Sequence, residues 1–226
     1  MKHLYTIVIV MLPFIAQGQQ VAGLGNFKIG AFGGTQLFGK IYDDHKMAAA
    51  SGLTAGVDVG YSVSEKKSGV SIHFQPNYST FKKREEDGDR NSHRFTELNW
   101  KWTAVNLPFM VRYTFTSGQV RPFAELGLNI RIRTGLSYHS EGYGCGVAGC
   151  NSVIRDVDLQ KDVKNDPVGP IAAIGVEVDA GKVIIPLTVR ISESFRVAGY
   201  KEDRLGGTSG GNIKTKYVQI TAGVSF

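Results

Sequence analysis

The last ten residues, YVQITAGVSF (Tyr217 to Phe226), decide the fold. Side chains alternate between the two faces of a pleated strand, so Val218, Ile220, Ala222, Val224 and Phe226 share one face and Gln219, Thr221, Gly223 and Ser225 the other. This is a strand with one dry side. The same alternation runs through VRPFAELGLNIRI (Val120 to Ile132), where Val120, Pro122, Ala124, Leu126, Leu128, Ile130 and Ile132 oppose Arg121, Phe123, Glu125, Gly127, Asn129 and Arg131.

Six further windows behave alike: Phe27 to Leu37, Leu53 to Val63, Val70 to Tyr78, Val105 to Phe115, Val168 to Val178 and Val183 to Ile191. Eight strands result, and nothing after residue 20 sustains the three-and-four spacing of an amphipathic helix. A fifth of the chain is charged (20%), yet none of these charges falls on an apolar strand face. The opposite faces carry Lys28, Asp58, Arg112, Arg121, Glu125, Arg131, Glu177 and Arg190.

The connections alternate in length as those of an outer-membrane barrel do. SEKK (Ser64 to Lys67), TSGQ (Thr116 to Gln119) and DAGK (Asp179 to Lys182) are tight turns, whereas long polar stretches around 39–52, 82–97, 137–166 and 196–212 read as external loops. With an even strand number, the termini and the short turns share the periplasmic side. Gly56, Gly60, Gly127, Gly175 and Gly223 all lie on the polar face, which suits a crowded lumen better than a face open to water. The expected fold is thus an all-β, eight-stranded, antiparallel, up-and-down transmembrane β-barrel with its polar face inside.

The apolar run Leu4 to Ala16 is too short to cross a hydrocarbon layer of about 30 Å. With Lys2 and His3 before it and Ala16 and Gly18 at its end, it reads as a signal peptide spanning residues 1–18, leaving 19–226 as the barrel in the outer membrane. The net charge of +6 invites a search for a nucleic-acid site. The longest charged run, KKREEDGDRNSHR (Lys82 to Arg94), mixes both signs and reads as a solvated loop, so no nucleic-acid partner is expected. Cys145 and Cys150, with four residues between them in a glycine-rich stretch of an exported chain, are expected to form a local disulfide.

Two features fit a plain barrel poorly. Pro76, Pro108, Pro122, Pro170 and Pro186 fall inside strands, where each removes a ladder donor, so bulges or strand ends are expected at them. Trp100 and Trp102 are out of phase with Val105 and Leu107, which predicts a phase break near Thr103 and places the two rings as interface aromatics above the membrane.

The stretch TAVNLPFMVRYTF followed by VRPFAELGLNIRI resembles the central strand pair of the PorT-like family of outer-membrane β-barrel proteins. There, an L-P pair precedes an apolar strand ending in a basic residue and Tyr, and a basic-Pro-aromatic opening starts the next strand. The matching positions are Leu107, Pro108, Arg112, Tyr113, Arg121, Pro122 and Phe123. The terminal Phe226 and the signal segment fit as well. The resemblance implies an eight-stranded outer-membrane barrel, and its founding member assists protein secretion across that membrane. Most relatives have no assigned role, and no catalytic motif comes with the family.

An eight-stranded barrel is filled by its own side chains, and charges inside it must pair. The sequence predicts a lumen ion-pair network of Asp58, Glu125 and Glu177 with Arg112, Arg121, Arg131 and Arg190. No cofactor or metal site is expected. His73 lies on the polar face, and His45, His93 and His139 lie in or beside loops, but no nucleophile motif accompanies them, so no enzyme is expected. The favoured reading is a structural or interaction protein, with a secretion accessory role implied by the resemblance, whose external loops meet a protein partner through residues such as Tyr138, Tyr143 and Tyr200. The alternatives are a small channel and a lipid-modifying enzyme. Its surroundings are outer-membrane lipid.

Overall fold

The computed structural model describes residues 26–38, 51–63, 67–88, 94–146, 149–158, 160, 168–193, 198–199, 212–213 and 216–226. The expected signal segment, His45, His93 and Tyr200 lie outside the described residues. In chain order the strands are β1 (Phe27–Phe38), β2 (Ser51–Ser62), β3 (Gly69–Phe74), β4 (Asn77–Asp87), β5 (Arg94–Thr114), β6 (Val120–Gly146), β7 (Gly149–Asp158), β8 (Val168–Asp179), β9 (Ile184–Glu193), β10 (Ala198–Gly199), β11 (Asn212–Ile213) and β12 (Lys216–Ser225).

The main sheet closes on itself. Each wall pairs antiparallel with the next along the chain, and β12 returns to pair with β1. Because β3 and β4 share one wall and β7 extends β6 above the ring, the barrel has eight walls. Starting at Pro122 on β6, paired neighbours lead through Val176, Leu187, Ala222, Gly33, Ala55, Tyr78 and Val105 back to β6 at Ile132. The ring therefore closes ten residues out of register, from 122 to 132. That offset, at about 3.3 Å per residue over eight strand spacings of about 4.8 Å, tilts the strands by about 41° and sets a backbone radius of about 8 Å.

The polar faces point inward and the apolar faces outward. Leu126, Ile174 and Val111 are 69%, 67% and 52% exposed, while Gln219, Asn106, Glu125 and Arg121 are buried. From Phe115, just past the end of β5, to Val105, the outward residues cover about 25 Å along the barrel axis at this tilt. Thr116 to Gln119 and Ala180 to Val183 turn at the same end as the chain terminus, where Phe226 exchanges backbone hydrogen bonds with Ile29.

Inward glycines let the ring close. A Cβ on Gly127 would lie 2.0 Å from the Phe109 carbonyl oxygen, and one on Gly34 would lie 2.0 Å from that of Ile220. Both contacts are with backbone, which cannot turn aside.

The prolines correct one expectation. Pro76 interrupts a wall between β3 and β4, and Pro186 breaks the ladder with β12, which passes from Leu187–Ala222 to Ile184–Ser225. Pro122 and Pro170 stand third from the starts of β6 and β8, so Pro108 alone sits in mid-strand with its own strand unbroken. Two losses coincide at the interruption. The Gln75 N–H donates to the Pro108 carbonyl, and Pro108 has no N–H to return; the Gln75 carbonyl instead accepts from Asn77 Nδ2 at 3.0 Å. Side-chain replacement of the missing donor removes the need for a bulge at Pro108.

Two expected loops are also strands. Residues 82–87, 94–103, 135–146 and 149–158 form a four-stranded flap that continues the β4, β5 and β6 walls beyond the ring and adds β7. Strands that leave the apolar zone need no dry face, so their charges scatter over both sides and period-two hydropathy disappears. The phase break falls where expected but on the partner strand: Thr103 pairs with Gly135 and Ala104 with Arg133, leaving Thr134 as the extra residue on β6. β5 keeps its phase, so Trp100 and Trp102 share the inner face with Ala104 and Asn106 and are not outward interface aromatics.

A Gly127→Val variant is expected to lose the compact, heat-modifiable form on cold electrophoresis after refolding in detergent. Gly144→Ala in the flap, where an added Cβ meets nothing within 4 Å, retains it.

Candidate functional site

The lumen holds two layers of charge and one of amides. Nearest the short turns, Arg121 on β6 donates to Glu177 on β8 at 3.2 Å and to Asp179 at 3.1 Å, and Asp179 also accepts from Lys67 at 2.7 Å. Asp179 sits at the end of β8, where the Lys67 ammonium, then Arg121 and the Gly181 N–H, hold its carboxyl down to about 2. A depressed carboxyl favours the folded state above its unfolded pKa, so this clasp loosens only as pH falls from about 4 toward 2.

One step further in, Arg112 on β5 is the hub. Its guanidinium lies 2.6 Å from Glu125, 3.8 Å from Asp58 and against Glu177, with its flat face 4.1 Å from the Phe123 ring centroid. Glu125 is shared with Arg190 at 3.4 Å, and Arg190 also donates to Gln219 at 3.2 Å and to Gln75. Lys28 reaches Glu177 at 3.9 Å. Fully buried ions are tolerable only in such company.

Above them lies the amide layer. Asn106 donates to Ser79 at 2.8 Å and to Asn77 at 3.0 Å, and Asn129 donates to the Tyr217 hydroxyl at 3.2 Å. Arg131 belongs to this layer and not to the Arg112 hub: its Nε donates to Asn106 at 3.1 Å and its guanidinium sits 4.6 Å from the Tyr217 ring centroid. The seven residues named from the sequence are thus all inward, six of them joined around Arg112 and Glu177.

Sequence reasoning missed one constellation. Ser71 Oγ lies 2.9 Å from His73 Nε2, and His73 Nδ1 lies 2.9 Å from Asp58. The order hydroxyl, imidazole, carboxylate is that of an activated serine. Access decides what it can do: Ser71 and His73 are buried, and the void of about 10 Å³ that Asp58 lines with Gln75 and Arg112 is lined by neither of them. Ser71 and His73 are two apart on one strand, a visible hint, but Asp58 reaches them only through the pairing of β2 with β3.

The flap is the second candidate region. A disulfide links Cys145 and Cys150, which face each other across the β6–β7 hairpin. Tyr138 and Tyr143, expected in a loop, are strand residues whose rings pack near Trp100 at 5.1 Å and Phe95 at 6.0 Å. His139 is likewise in β6 and meets Asp156 of β7 at 2.7 Å.

No family model and no curated protein matches the chain. Among solved structures it is similar to neisserial surface protein A, at a TM-score of 0.45 and 12% identity over 88% of this chain and 95% of that one. It is also similar to Ail, the attachment invasion locus protein of Yersinia pestis, at a TM-score of 0.41 and 9% identity over 89% and 99%. A third is outer membrane protein AlkL in DMPC bilayers, at 0.41 and 14% over 89% of each chain.

Two outcomes test this geometry. Glu125→Ala takes the carboxylate from buried Arg190 and one of three from Arg112, and is expected to lower the unfolding free energy by about 3–5 kcal/mol in urea titrations, whereas Glu125→Leu with Arg190→Leu recovers part of that loss. His139, whose pKa is raised chiefly by its hydrogen bond to Asp156, should titrate above its usual 6.5 by NMR. Its link to Asp156 is complete below the unfolded value and fades as pH rises through the folded one, and Asp156→Asn should return the midpoint toward 6.5.

Proposed function

We propose that the protein is an integral outer-membrane barrel with a plugged lumen and both termini in the periplasm, working as an interaction protein through its external flap. The observation that carries this reading is the pairing of a filled interior with an unbroken apolar exterior. An outward band about 25 Å tall matches the apolar belt of outer-membrane barrels. In water, that band would cost about 25 cal/mol for every Å² left exposed, far beyond the patches that soluble monomers carry.

The plug favours display over conduction. Arg112, Glu125, Glu177 and Arg190 meet across the middle of the lumen, and a rigid wall then presents the disulfide-tied hairpin outside. The likeness to the PorT family points to a secretion accessory as the process served. A small channel is the second reading, favoured by the polar lining, but the ion pairs of Arg112 with Glu125 and Glu177 cross the lumen, and the void beside them has room for about one water. The Ser71–His73–Asp58 relay meets the same obstacle as a hydrolase, so it serves as a strut between β2 and β3.

Purified protein in planar lipid bilayers is expected to show no stable conductance steps, and such steps in the wild type would favour the channel. Deleting residues 140–160 should leave heat-modifiable folding intact while abolishing partner capture in crosslinking pull-downs from intact outer membranes. Unchanged capture would count against the flap.

A further inference from the structure

The outward face of the flap carries an arrangement that barrel architecture does not explain. Lys82 on β4 and Lys101 on β5 are directly paired across the strands, both side chains outward and exposed. Like charges placed opposite each other destabilise a sheet. Of the neighbouring charges, Arg84 lies 2.7 Å from Glu86 and 2.8 Å from Glu97 and Asp156 is held by His139, while Asp158, which accepts the Gln160 N–H at 2.9 Å, keeps its charge two strands away from Lys101 in the same row. Among the described residues no carboxylate partners Lys82 or Lys101.

Height fixes what this pair meets. Below it lie the Thr80–Thr103 pair and then Tyr78–Val105, the top of the apolar belt on these strands. Four residues of strand at the barrel tilt put the lysine backbones about 10 Å above that row. The lysine stems can lie down along the wall and set their ammonium groups at the level of lipid headgroups. The pair also lines a cleft of about 720 Å³ with Arg84, Asn99, Ser137 and His139, larger than a phosphate needs, whose far side on β7 carries Asp156 and Asp158.

We propose that Lys82 and Lys101 bind a phosphate on the headgroup of a glycolipid in the leaflet that adjoins the flap. The two ammonium groups neutralise the phosphate, the phosphate relieves their mutual repulsion, and Asn99 and Ser137 face the sugar hydroxyls. The inference rests on the membrane reading above, which supplies the lipid.

Its test uses the full barrel purified in neutral detergent and titrated with lipid A bearing its phosphates, the same lipid dephosphorylated, or inorganic phosphate, with retained lipid read by native mass spectrometry. The wild type should retain one phosphorylated lipid in preference to the dephosphorylated form. K82E/K101E should bind it at least about tenfold more weakly, and K82R/K101R, which keeps the charge, should not. Equal retention by wild type and K82E/K101E, indifference to the lipid's phosphates, or inorganic phosphate competing as well as the lipid would each overturn the proposal. Insertion into phosphatidylcholine vesicles and resistance to carbonate extraction separate the two readings: failure there defeats the membrane assignment itself, whereas insertion without selective retention defeats only the lysine site.

Discussion

A ring of strands with hydrocarbon outside must satisfy its backbone hydrogen bonds from within, because lipid offers no substitute donors or acceptors. Closure of β12 onto β1 meets that demand, and every other feature follows from how it is done. The ten-residue offset sets tilt and radius together. Two prolines are tolerated by local means: Pro76 and Pro108 concentrate their lost donors at one interruption, where the Asn77 side chain supplies a replacement.

A backbone radius of about 8 Å leaves space for side chains and little else. Glycines such as Gly34 and Gly127 mark where the facing backbone comes closest, and arginines reach across the remaining volume to acids on distant walls. Arg112 joins Glu125 on the adjacent wall to Glu177 one wall further on, so the charges that fill the barrel also brace it. Above the ring this constraint relaxes. The flap strands keep their ladders, water takes over the outer face, and charges such as Lys82 and Lys101 appear where a lipid-facing residue would be apolar.

Most of the barrel below Thr103 was legible in the chain because hydrocarbon imposes a rule on every second residue. The flap was not, since strands such as Lys82–Asp87 and Gly149–Asp158 face water on one side and carry charge without alternation. The inward turn of Trp100 and Trp102 escaped for a related reason. Their phase agrees with Asn106, but a bulge on the neighbouring strand, at Thr134, was the irregularity that the break near Thr103 signalled. Arg131 was placed on the correct face, yet its amide and tyrosine partners were out of reach of pattern reading.

The sequence by itself determined which residues share a face, where the short turns lie, and that inward charges of both signs had to meet. Those properties are local, because the pleat repeats every two residues whatever the rest of the chain does. Tertiary structure alone decided which acid meets which base, that Asp58 completes a relay with Ser71 and His73, and that two lysines from separate strands stand side by side above the belt. Each of these depends on strand register and on the offset at which the ring closes, quantities set by the pairing of segments far apart in the chain.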